Sequence, residues 1–180
     1  MTKRNSQHEI KVIGCIGYVL IPILLWIIFF TQDMMHINFT GVINKENGWI
    51  MKIAGLLLWA WFNILLIRTS HHFPHLYLWI SSMDIMAVGT MHIPYTTPSS
   101  IISNLHIVCA NAVLILFNII TVGSNLHNLS RLRLYVMLCL PAFFLALTTM
   151  SINGICEIVY ACGISVYLTH TCITEMKKGL

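Results

Sequence analysis

Charge is what this sequence has least of. Only 9% of its 180 residues are Asp, Glu, Lys or Arg, where a soluble domain would carry about a quarter. That shortage excludes an ordinary water-soluble globule. No basic run is long enough to form a phosphate-binding stripe, so the net charge of +4 is not a nucleic-acid signal. Several motifs are also missing. There is no C-x-x-C, so nothing supports a dithiol redox centre, and most of the six cysteines sit inside apolar runs, where a thiol behaves as a small hydrophobe. P-loop, dinucleotide fingerprint, nucleophile elbow and H-E-x-x-H are all absent. The polar links are too short to hold a separate catalytic domain.

What is present is apolar residue, 57% of the chain, gathered into runs of membrane-crossing length. The runs fall at about 12–30, 49–67, 76–91, 101–122, 134–150 and 155–168. They predict an all-α, six-transmembrane-helix bundle forming a single domain over 1–180. The first run is longer than a signal-peptide core and lacks a small-x-small cleavage site, so it reads as a retained anchor. Pro22 and Pro141 are expected to kink their helices. The third run, Leu76–Met91, is the shortest of the early ones and holds Ser81, Ser82, Asp84 and Gly89. A re-entrant segment is the alternative there.

Basic residues orient the bundle. With the N-terminus cytoplasmic, Lys3, Arg4, Lys11, Arg68, Arg131, Arg133, Lys177 and Lys178 fall on the cytoplasmic side, and only Lys45 and Lys52 fall opposite. This positive-inside bias predicts both termini in the cytoplasm and requires the third helix to span. The setting is a bacterial inner membrane or a plasma membrane, with the lipid bilayer as the partner the composition implies.

That topology places the polar intramembrane residues. Asp84 falls near mid-membrane, with His92, His106 and Glu157 towards the outer side and Asp33 and His36 in the outer link. Ionisable groups inside a bilayer are costly, at roughly 2.5–3.5 kcal/mol on insertion scales, and call for a reason. Convergence of these six on one region would make a site. His and carboxylate ligands together suit zinc, and the alternative is a proton or cation relay. The plainer reading is that Asp84 and Glu157 hydrogen-bond within the bundle and lock its packing. Asn104, Asn111 and Asn118 stand at heptad spacing, so they form a polar stripe on the fourth helix. With His106 on another face, that helix is expected to be central. His71, His72 and His75 form the densest histidine group, but Pro74 biases Phe73 away from helix. A haem reading would want more histidines well inside facing helices. Met34-Met35-His36 invites copper on soft-ligand grounds, although scattered packing methionine explains it as well. Asn38-Phe39-Thr40 is a formal glycosylation sequon.

The order of features resembles the domain-of-unknown-function 998 family of small multi-pass membrane proteins, which is similar to the Frag/DRAM/Sfk-like group. The residues that carry the resemblance are Asp33, Gly55-Leu56-Leu57-Leu58, Gly89 with Pro94, His106, and Asn153-Gly154-Ile155-Cys156-Glu157. It implies a six-helix bundle and no established activity, and no catalytic role is carried over from it. Two functions follow as expectations. One is a non-enzymatic transporter-like, lipid-interacting or accessory factor whose buried Asp84 and Glu157 organise the bundle or a proton-linked pathway. The other is a membrane-embedded metal-dependent hydrolase built from His36, His92, His106 and a carboxylate.

Overall fold

The computed structural model of the chain describes residues 3–32, 34, 38–43, 48–93, 100–149 and 153–178. Every regular element among them is helical. The chain opens with α1 (Lys3–Cys15), a π-helical turn (Ile16–Leu20) and α2 (Ile21–Thr31) as one continuous rod. A short α3 (Phe39–Ile43) follows, then α4 (Trp49–Thr69), α5 (Leu76–His92), α6 (Ile101–Asn125), α7 (Leu129–Thr149) and α8 (Gly154–Lys178). Five stretches are long and apolar enough to cross a membrane: Ser6–Thr31, α4, α6, α7 and α8. α5 is a well-formed helix of 17 residues, about 26 Å at 1.5 Å per residue.

The helices begin and end beyond the apolar runs. The first is helical from Lys3, α6 runs on to Asn125, α7 begins at Leu129 inside the expected basic link, and α8 continues to Lys178. Backbone hydrogen bonding does not stop where hydrocarbon does, and polar side chains at a helix end simply extend into the interface. The expected end of the fifth run at Met150 lies outside the described residues.

Pro22 acts by widening the helix. Its ring nitrogen has no hydrogen, so neither Tyr18 nor Gly17 can receive a backbone bond from it. The chain inserts a π-turn just before it, with Ile21 N–H donating to the Ile16 carbonyl. That choice leaves the Gly17 carbonyl without a donor, because its α-type partner Ile21 is spent and its π-type partner is Pro22. The buried Ser165 hydroxyl of α8 donates to it at 2.8 Å, as a bilayer interior demands. Along α7 the helix runs through Pro141 without ending.

α8 is the central helix. Its most apolar window is 56% buried, against 28% for α6 and 11% for α7. The expectation that α6 is central is therefore corrected. Asn104 and Asn111 are both exposed, and α6 packs chiefly along α5, where a Cβ on Gly89 would stand 3.0 Å from Cys109 Sγ. Small residues let α8 take its position. A Cβ on Gly163 would lie 2.4 Å from the Leu138 carbonyl oxygen of α7, and one on Gly17 would lie 1.8 Å from Thr169 Oγ1. The main apolar core, with Leu65, Leu66, Met83, Ile120 and Leu168 fully buried, forms around α8. Large apolar side chains such as Phe30, Leu57, Ile101 and Met137 face outward, as lipid contact requires.

Ion pairs mark one end of the bundle. Arg68 at the end of α4 donates to Glu9 of α1 at 2.6 Å, and Arg131 at the start of α7 pairs with Glu175 near the end of α8. Phe73, in the α4–α5 link, packs at Gly123 of α6 on the same end. At the opposite end Ile155 N–H donates to the Met34 carbonyl at 3.2 Å. Met34 is buried in an apolar cluster with Ile21, Leu25, Val42 and Ile158, so its sulfur packs rather than presents itself as a ligand.

Candidate functional site

Four of the six residues expected to converge lie among the described residues, and the bonds described for them go to different partners. Asp84 Oδ1 accepts from Trp59 Nε1 at 2.8 Å and from Asn63 Nδ2 at 2.7 Å, both on α4. The carboxylate thereby ties α5 to α4. His92, exposed in the last turn of α5, bonds through Nδ1 to the Val88 carbonyl at 3.0 Å. His106 is buried, and its Nδ1 lies 2.7 Å from the Ile93 carbonyl, so it fastens α6 to the end of α5. Glu157 Oε2 accepts from the Phe39 backbone N–H at 2.5 Å, which holds the start of α3 against α8. Asp33 and His36 lie outside the described residues. Among the described residues no group of three or more His, Cys, Asp or Glu side chains comes together in a way that could hold a metal ion.

The remaining histidine expectation also resolves locally. The α4–α5 link is not helical: His75 takes a left-handed backbone conformation at φ 53°. His71 and His75 therefore do not share a helical face. The His71 and His72 rings instead stand 3.6 Å apart, with His71 Nδ1 3.2 Å from the Arg68 carbonyl. Asn38 Oδ1 accepts from Gly41 N–H at 2.8 Å and caps α3.

A cavity of about 640 Å³ lies between α4, α6, α7 and α8, within the size range of small-molecule sites. Its wall is mostly apolar, including Leu58, Phe62, Leu114, Val136, Leu140 and Phe143. Among the described residues the lining contains no Lys, Arg or His, and Glu157 is its one carboxylate.

Three polar side chains close on one another in the wall. Tyr135 O–H donates to Asn118 Oδ1 at 2.6 Å. Asn118 Nδ2 donates to the Tyr160 hydroxyl at 3.1 Å and to the Leu114 carbonyl at 2.7 Å. The two tyrosine oxygens are 3.1 Å apart. Because Tyr135 spends its one hydrogen on Asn118, Tyr160 donates to Tyr135, and the three groups form a closed ring. Such rings strengthen their own members in a low-dielectric interior.

Only one member of this ring, Asn118, was singled out in the sequence, as part of the asparagine stripe. The signal for the rest lay in α8. Glu157, Tyr160, Tyr167, Thr171 and Glu175 recur at three-, seven- and four-residue steps, which place them on one helical face. That face turns towards α7: the Tyr167 ring lies 5.0 Å from the Tyr135 ring. Compared with known proteins, the chain matches no family model, no curated protein and no solved structure.

Proposed function

We propose that this helical membrane protein is a non-enzymatic, lipid-interacting factor that holds a lipid chain in the cavity between α6 and α7. The observation that carries this reading is the cavity itself. It is apolar and about 640 Å³ in volume, with exposed Val136, Leu140 and Phe143 in its wall, in a protein whose exterior is already apolar. Water has little to bind along such a wall, whereas an alkyl chain satisfies it. Asp84 and Glu157 serve the bundle in this reading, joining α4 to α5 and α3 to α8. The proposal includes six spans, α5 being the sixth, with both termini cytoplasmic. The gathering of Glu9, Arg68, Arg131 and Glu175 at one end supports that orientation. The resemblance to the domain-of-unknown-function 998 family belongs to the same proposal, through the six-helix architecture it implies. The hydrolase alternative has less behind it: among the described residues His92, His106 and Glu157 bond to three different backbone groups.

The test is to fill the cavity. Ala110 and Ala146 line it from α6 and α7, and Ala110→Trp or Ala146→Trp would occupy the space of a chain. Native mass spectrometry of protein released from lipid nanodiscs is expected to find retained lipid on the wild type and much less on either variant. Equal lipid retention by all three would sink the reading.

A further inference from the structure

The ring of Asn118, Tyr135 and Tyr160 sets what polar group the cavity can accept. This inference rests on the lipid reading and sharpens it. Count the hydrogens. Asn118 has two on its amide, spent on Leu114 O and Tyr160. Tyr135 spends one on Asn118, and Tyr160 spends one on Tyr135. All four donors are used inside the protein. What the ring has left is lone pairs, on Asn118 Oδ1 and on the phenol oxygens. Trp59, another polar group of the lining, points its N–H away to Asp84. The amide of Asn111 stands seven residues along α6, about 10 Å away, too far to join the ring.

A site that offers only acceptors selects a ligand that donates. An ester or ether oxygen gains nothing there, while a hydroxyl completes a bond. Among the described residues the lining has no cation to neutralise a phosphate or carboxylate, so a charged headgroup would be desolvated against them without a partner. We infer that the cavity's ligand is a neutral long-chain lipid alcohol whose hydroxyl donates to the Asn118–Tyr135–Tyr160 ring. Two sources share that chemistry, a simple long-chain alcohol and a partial glyceride with a free hydroxyl.

Photolabelling tests the assignment. A diazirine-bearing analogue of 1-hexadecanol is added to purified full-length protein in detergent, and the labelled residues are mapped by mass spectrometry. Label is expected on buried cavity residues such as Phe62, Phe117 and Ala142. Unlabelled 1-hexadecanol is expected to compete about fivefold better than hexadecyl methyl ether, which can accept but not donate; that factor is the worth of one net hydrogen bond. 1,2-Dioleoylglycerol forms a second arm, and whichever of the two alcohols competes more strongly identifies the source. Asn118→Leu combined with Tyr135→Phe and Tyr160→Phe removes every acceptor of the ring and is expected to abolish the fivefold preference while leaving the label in place. Asn111→Leu, outside the ring, is expected to keep the preference. Equal competition by alcohol and ether against the wild type overturns the hydroxyl assignment and leaves the lipid reading standing. Label spread over outward residues such as Ile27 and Phe30, with none in the cavity, overturns both. The wild-type comparison decides the matter even if the triple variant does not fold.

Discussion

At the scale of single residues, the fold depends on places where a side chain would not fit. Gly163 is the clearest. Its missing Cβ would meet backbone of α7, the Leu138 carbonyl oxygen at 2.4 Å, which cannot swing aside as a side chain can. Gly14 is a natural control, since a Cβ there would meet Ile173 Cδ1 at 3.4 Å, ordinary contact. Gly163→Ala is expected to destabilise by about 1–3 kcal/mol, the usual cost of overpacking. Gly14→Ala should be near neutral. Thermal unfolding in detergent, followed by tryptophan fluorescence, checks both, and equal midpoints for the two variants would contradict the α7–α8 packing. The sequence alone does not rank Gly14 against Gly163. Close approach is a property of two helices at once, and only one of them is written around the glycine.

Elements are joined by polar side chains placed one per interface. Asp84 is the example whose sequence reading came nearest, since hydrogen bonding within the bundle was one of its two expectations. Its partners Trp59 and Asn63 are four residues apart on α4, so they share a face and present two donors to one oxygen. That pair was visible as spacing, but nothing in the sequence said which helix would face Asp84. Replacing the acceptor isosterically keeps one oxygen, whereas removing it strands two donors in an apolar interior. Asp84→Asn is therefore expected to cost little, and Asp84→Leu about 1–3 kcal/mol. Denaturation midpoints of the two variants test this, and an Asp84→Leu protein as stable as Asp84→Asn would show that the α4–α5 junction does not use these bonds. Glu157 is the harder case. Its spacing along α8 was legible, yet its partner is a backbone N–H in a link of irregular sequence, which no periodicity announces.

Over the whole molecule, composition was enough for the helical membrane class, because a chain this short of charge has few other ways to bury its backbone. The cavity was not legible. It exists because α6 leans on α5 and α7 leans on α8, and a gap between two pairs leaves no mark in either pair's sequence. Topology can be tested independently of it. In a background with native cysteines replaced, single cysteines at Lys52, His92, His127 and Lys178 are labelled with a membrane-impermeant maleimide in intact cells. Labelling at Lys52 and His92 but not at His127 or Lys178 is the expected six-span pattern. Were α5 not to cross, His127 would be labelled from outside.

The π-turn has one more implication, and it concerns phase. One extra residue in a helical turn rotates everything before it by about 100° relative to everything after. Gly14 before that offset, Gly17 within it, and Ile21 and Leu25 after it all end up against α8 or its apolar cluster. The contact line along this rod is therefore continuous in space but interrupted in the reading frame. For this helix the natural unit of change is a residue gained or lost, and an exchange of side chains cannot repair a slip in count.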